Sequence, residues 1–126
     1  MQNLRYVGNN LFVEKLSIKN ILKKNKTPFY IYSESQIAFN FLKFANTFKK
    51  TDPLICFAAK SNSNLNILRV LGKLGAGADV VSGGELLKAL KAGIRPNKIV
   101  FSGVGKTEEE LKIAINKKIL LINCES

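Results

Sequence analysis

One lysine of this chain stands where covalent chemistry would be placed. The run Ile55-Cys56-Phe57-Ala58-Ala59-Lys60-Ser61-Asn62-Ser63-Asn64 reads as an apolar strand that ends at Lys60 and opens into a polar loop. In parallel α/β folds, ligands bind beyond the carboxyl ends of the strands. A lysine there, against apolar surface, loses the solvation that favours its charge, and its free amine can attack a carbonyl carbon. The alternative is a solvated loop lysine, one of seventeen in the chain. A second run, Gly75-Ala76-Gly77-Ala78-Asp79-Val80-Val81-Ser82-Gly83-Gly84-Glu85-Leu86, passes from a strand through a glycine turn into a helix start. Backbone N–H groups at such a turn can meet an anion. No Gly-Lys-Ser/Thr follows these glycines and no G-x-G-x-x-G follows the strand, so neither nucleotide fingerprint is present. Turn and cap chemistry also accounts for Ser82, Gly83 and Gly84. Asp79, just inside an apolar strand, needs a partner or a role, because a carboxylate is costly to bury alone.

Other chemistries are excluded by composition. The chain has no histidine, which removes Ser-His-Asp triads and Cys-His nucleophile pairs. It has two cysteines, Cys56 and Cys124, and no CxxC, so a zinc site of the usual Cys/His kind is not expected, nor any other metal. Both cysteines lie in apolar strand-like runs and read as small core residues.

The elements that must position Lys60 and Asp79 follow from the apolar pattern. Asn10 to Leu16 alternates as an edge strand would, and Ser17 caps a short helix over Ile18–Lys24. Lys26-Thr27-Pro28 breaks it, Phe29–Tyr32 reads as a strand, and Ser33 or Ser35 caps a helix with apolar residues at Ile37, Phe41, Leu42, Ala45 and Phe48. A regular rhythm then sets in. Strands are expected at Leu54–Ala59, Ala78–Val81, Lys98–Phe101 and Ile119–Ile122, with helices at Leu65–Leu74, Glu85–Ala92 and Thr107–Asn116 between them. Thr107 and Glu110 have capping-box spacing. Short loops between such strands and helices indicate parallel βαβ units, and the strands are too apolar to face water on either side. Four strands make half of an eight-stranded barrel or a small doubly wound sheet; a closed barrel takes about 250 residues.

The chain's 126 residues suffice for one domain with a core. Apolar residues form 46% and charged residues 23%, which is globular composition rather than disorder. No apolar run is long enough to span a membrane, and the start Met1-Gln2-Asn3-Leu4-Arg5-Tyr6 carries no secretory signal, so a cytoplasmic protein is expected. The net charge of +11 points towards nucleic acid, but seventeen of the twenty cations are Lys, spread along the chain, with only Arg5, Arg69 and Arg95 to offer a planar fork. Neither a nucleic-acid nor a membrane partner is expected.

Three runs together resemble a known family. Phe57-Ala58-Ala59-Lys60-Ser61-Asn62, then Gly77 to Leu86, then Ile99-Val100-Phe101-Ser102-Gly103-Val104-Gly105-Lys106, are similar in order and spacing to the amino-terminal part of the diaminopimelate decarboxylases. These belong to the alanine-racemase-like, fold-type III pyridoxal-phosphate enzymes, and the likeness runs from about Leu11 to Ser126. The run Ala78 to Leu86 is its specific part; the lysine motif is shared more widely, with ornithine decarboxylases among others. The resemblance implies that Lys60 is the catalytic lysine that holds pyridoxal 5'-phosphate, that Ala58 lines the cofactor ring, and that Asp79 and Glu85 are acids of the cofactor site. It implies decarboxylation of meso-diaminopimelate to L-lysine, an amino-acid substrate and a homodimer of the full-length enzyme. The related alternatives are a decarboxylase of ornithine or arginine, or a non-catalytic pyridoxal-phosphate-binding module. It also implies a short β-domain segment over residues 1–33 and the first half of a (β/α)8 barrel over 34–126. The barrel is then incomplete in this chain, and an amino-terminal fragment inactive alone is expected. The family usually has valine before the lysine and alanine after it; here these are Ala59 and Ser61. Cys124-Glu125-Ser126 mimics a segment found near the family's carboxyl end, but its place after Ile119–Asn123 makes Cys124 a strand residue of the fourth barrel strand.

Overall fold

The weak alternation near the amino terminus folds as a three-stranded antiparallel meander of β1 (Leu4–Val7), β2 (Asn10–Val13) and β3 (Leu16–Ser17). Two-residue turns at Gly8-Asn9 and Glu14-Lys15 join them, with Gly8 at φ 56° and Glu14 at φ 54°. This computed structural model describes residues 3–125; Met1, Gln2 and Ser126, at the outer ends of the two expected domain ranges, lie outside the described residues. The chain divides into two compact units, 1–40 and 41–126.

In the first unit, helix α1 (Ile18–Leu22) starts where expected, with Ser17 Oγ accepting from Asn20 N at 3.2 Å. The strand expected at Phe29–Tyr32 does not form: these residues carry no regular structure and lie in no ladder, and Tyr30 and Tyr32 are exposed. A β-rich run becomes a strand only beside a partner, and no described strand pairs with it. Of the two expected caps, Ser33 takes the role for helix α2 (Glu34–Thr47), accepting from Gln36 N at 3.0 Å. The division between the two units falls inside α2.

The second unit carries the expected rhythm: β4 (Cys56–Ala58), α3 (Leu65–Lys73), β5 (Gly77–Val80), α4 (Gly83–Lys91), β6 (Ile99–Phe101), α5 (Glu108–Asn116) and β7 (Leu121–Ile122). The four strands are parallel in the order β4-β5-β6-β7. Each strand lies next to its successor, whereas a doubly wound sheet reverses its order at a switch point. The sheet thus has the sequential order of successive strands in a (β/α)8 barrel, the architecture the resemblance implies, with four strands described. One face packs under the helices: Ala59, Ala78, Val80, Ile99 and Phe101 meet Leu68, Leu86, Ala89, Ile94 and Ala114 in one core. Burying each of the larger of these side chains contributes about 1.5–3 kcal/mol.

Helix ends are set by side chains. Asn64, Ser82 and Thr107 each accept from a backbone N–H of the first turn, and Gly75 (φ 99°) and Gly93 (φ 92°) lie just beyond the ends of α3 and α4. Gly77 is required by a close approach: a Cβ there would overlap the Lys98 carbonyl oxygen and come within 2.7 Å of Cys56 Sγ. The fourth strand is shorter than expected, and Cys124 is not part of it. Asn123 N donates to Phe101 O at 2.9 Å, the last rung, after which the chain following β6 turns away at Gly103 (φ 107°) and leaves Cys124 unpaired and exposed.

Candidate active site

Pairing register sorts the sheet residues into two sets. Cys56 pairs with Gly77, Ala58 with Asp79, Asp79 with Val100, and Val100 with Leu121. Side chains alternate along a strand, so Cys56, Ala58, Asp79, Val100 and Leu121 share the face opposite the helix-packed core. Two positions beyond the last three on their strands are Val81, Ser102 and Asn123; the latter two are polar and close over this face at its carboxyl end.

Lys60 stands just past the carboxyl end of β4, in a 3-10 turn over Ala59–Ser61. Its backbone is fixed on both sides. Ser61 Oγ donates to Ala58 O at 2.7 Å, Asn62 N donates to Ala59 O at 3.1 Å, and Asn62 Oδ1 accepts from Asn64 N at 3.0 Å at the start of α3. Ala59 is fully buried in the core and anchors the turn, while Lys60 is exposed. Among the described residues no hydrogen bond or ion pair engages its Nζ.

Asp79 is half-buried and has the partner its position demands: Ser102 Oγ donates to its Oδ1 at 2.6 Å. Asn123 Nδ2 donates in turn to Ser102 Oγ at 2.9 Å. Below Asp79, burial pushes the Cys56 thiol up, and the Asp79 charge adds to that shift. Ala58 and Asp79 are thus neighbours on one face, and the Lys60 turn follows at the carboxyl end of the same strand as Ala58. Glu85 is turned to a different task, for its Oε2 accepts from Val81 N at 2.9 Å and its N–H is capped by Ser82 Oγ at 3.2 Å. The spacing Ser82-x-x-Glu85 was a readable capping signal. Sequence reasoning missed Ser102 and Asn123, each a polar residue two positions past an apolar strand residue on the open face; period two was the only pointer to them.

The loop after β6 is held by Glu125. Its Oε1 accepts from Gly103 N at 2.8 Å and its Oε2 takes Lys106 Nζ at 3.1 Å. The Gly103 N–H, with Lys106, holds the Glu125 carboxyl below its ordinary value. Lys106 also donates to Gly103 O and sits 5.9 Å from the centre of the Phe101 ring. Among the described residues no group of three or more His, Cys, Asp or Glu side chains gathers as metal ligands. None of their helices is long and apolar enough to cross a membrane. A cavity of about 620 Å³ lined by Leu4, Val13, Ile31, Tyr32 and Ile37 lies in the amino-terminal unit and includes none of the four expected site residues.

The donor set suits an aldehyde cofactor: a primary amine free of ion pairs, a small residue on the same strand end and one fixed carboxylate on the next. Residues 34–126 match the family model described as pyridoxal-dependent decarboxylase, pyridoxal binding domain. The chain is 48% identical over 123 residues to the diaminopimelate decarboxylase of Aquifex aeolicus, across 98% of this chain and 29% of that protein. It is 51% identical over 108 residues to that of Helicobacter pylori strain J99, across 86% of this chain and 27% of that protein. The crystal structure of diaminopimelate decarboxylase from M. jannaschii in co-complex with L-lysine superposes with a TM-score of 0.93 at 36% identity, over 99% of this chain and 30% of that one. The chain thus spans 27–29% of the length of these two curated relatives.

Proposed function

From the premise that the chain belongs to the pyridoxal-dependent decarboxylases, through their pyridoxal-binding domain, we propose that it carries the cofactor lysine of a diaminopimelate decarboxylase. The reaction is conversion of meso-2,6-diaminopimelate to L-lysine in the cytoplasm, by a protein that works as a homodimer. Identities of 48% and 51% to relatives of that name support the substrate, as does the L-lysine in the M. jannaschii structure. In this reading residues 1–33 belong to a β-domain and 34–126 to the barrel.

The observation that carries the reading is the exposed Lys60 amine at the carboxyl end of β4, with Ala58 beneath it and Asp79 fixed on the neighbouring strand. Lys60 would hold pyridoxal 5'-phosphate by its aldehyde carbon, Ala58 would lie against the ring, and Asp79 would stand beside the amine. When bound, the cofactor supplies a sink for the electron pair left as a carboxylate departs. The protein's share is placement. The 3-10 turn fixes where the Lys60 side chain leaves the backbone, and the bond from Ser102 fixes the Asp79 carboxylate. Glu85 serves the site indirectly, by holding the backbone of Val81 at the end of β5.

The test is reduction of the purified full-length protein with borohydride in the presence of pyridoxal phosphate, followed by peptide mass analysis. The expected result is a reduced pyridoxyl group on Lys60. Diaminopimelate, ornithine and arginine offered separately should give carbon dioxide from the first alone. A label on another lysine, or release from ornithine or arginine instead, would overturn the corresponding part of the reading.

A further inference from the structure

We propose that Ser102 and Asn123 are positioning residues that aim Asp79 across the open face of the sheet; this rests on the functional reading above. Asp79, Ser102 and Asn123 come from β5, the residue after β6 and the residue after β7, so the row crosses three successive strands. Its direction is set by hydrogen count. The Asn123 amide can only donate through Nδ2, and it donates to Ser102 Oγ at 2.9 Å. Ser102 has one hydroxyl hydrogen, and with a lone pair taken by Asn123 that hydrogen goes to Asp79 Oδ1 at 2.6 Å. Short hydroxyl-to-carboxylate bonds are among the stronger neutral-to-charged contacts.

The consequence is a carboxylate with one oxygen spoken for and one available. Among the described residues Asp79 Oδ2 accepts no hydrogen bond. Rotation of the carboxylate would break the Ser102 bond, so Oδ2 keeps one orientation relative to β4 and the Lys60 turn. Both backbones are fixed as well: Ser102 N donates to Val80 O at 2.8 Å and Asn123 N to Phe101 O at 2.9 Å. Nothing else described ties Ser102 Oγ, so its two side-chain bonds are its whole task. Misplacing a group that acts on a reacting centre, by removing the residue behind it, costs about 10- to 100-fold in rate.

The experiment uses full-length enzyme and reads the visible absorption band of bound pyridoxal phosphate together with kcat and KM. Ser102→Ala is expected to shift the band and lower kcat about 10- to 100-fold with little change in KM, and Ser102→Thr, which keeps the hydroxyl, restores both. Asn123→Asp is the sharper variant. It fills the same volume but accepts instead of donating, so it draws the Ser102 hydrogen away from Asp79. It should therefore harm both readouts more than Asn123→Ala, and this difference should vanish when Ser102 is already Ala. Should Ser102→Ala fail to fold, the two Asn123 variants decide alone. Equal effects of Asn123→Asp and Asn123→Ala, or no rescue by threonine, would overturn the positioning role while borohydride still labels Lys60. Loss of the Lys60 label from the unaltered enzyme would instead overturn the functional reading, and this inference with it.

Discussion

The two faces of the parallel sheet share the same strands and differ in almost everything else. On the helix side, Ala59, Ala78, Val80, Ile99 and Phe101 are completely buried among apolar neighbours. On the other side, one position away along each strand, stand Cys56, Ala58, Asp79 and Val100, only partly buried, with Ser102 and Asn123 at the carboxyl end. The difference shows how a parallel strand divides its labour. Even and odd positions of one segment carry stability and chemistry separately, so substitutions on the two faces should fail in separate ways.

The largest separation is expected between Lys60 and Phe101. If the proposed function holds, Lys60→Ala in the full-length protein should lower decarboxylation by about four orders of magnitude or more while leaving the melting temperature within a degree or two, because an exposed side chain with no bonds is lost. Activity assays and thermal melts on the same preparation check it. Phe101→Ala should cost about 3–5 kcal/mol of stability through the cavity it leaves in the core. Chemical denaturation measures this, and a cost below about 1 kcal/mol would break the division of faces.

A smaller effect belongs to acid stability. Glu110 accepts from Gly83 N at 2.6 Å and from Thr107 N at 3.0 Å, and these bonds, the one from Gly83 first, hold its carboxyl below the ordinary 4.5. Folding therefore favours its charged form. The stability it adds is complete above pH 4.5 and is lost as pH falls through the lower value of the folded state. Glu110→Gln should lower stability at neutral pH and flatten its decline on acidification, which melts from about pH 6 to about pH 3 would record. The smallest effect concerns the thiols. Cys124 is exposed, while Cys56 is half-buried with its thiol pushed up, so a thiol reagent at neutral pH should label Cys124 first. Equal rates would mean that the open face at Cys56 is more accessible than its burial allows.

How much of this was legible beforehand depended on whether a feature was local. The strands from Cys56 to Ile122 and the caps at Ser17 and Thr107 were readable because a run of apolar residues, or a cap three positions from its partner, lies within one segment. Lys60, at the end of an apolar run, and Asp79, just inside one, were readable for the same reason, whereas Ala58 followed only from the family resemblance. Phe29–Tyr32 was not, since ladder formation depends on a neighbour rather than on the run itself. The strand Leu4–Val7 escaped notice although Gly8-Asn9 is a hairpin turn signal, because its side chains are exposed and its alternation is weak. Cys124 was misjudged by extending an apolar run beyond its last backbone rung. The row from Asp79 through Ser102 to Asn123 was out of reach because it needs the pairing register of three strands at once.

Glu110 also bears on how this part of the chain opens and closes. Its two carboxylate oxygens hold the first N–H of α4 and the N-cap N–H of α5, so one side chain serves both helix starts. Two successive βα repeats, which could melt one by one, are hinged on a single side chain. In hydrogen-exchange terms the amides of Gly83 and Thr107 share one protecting carboxylate.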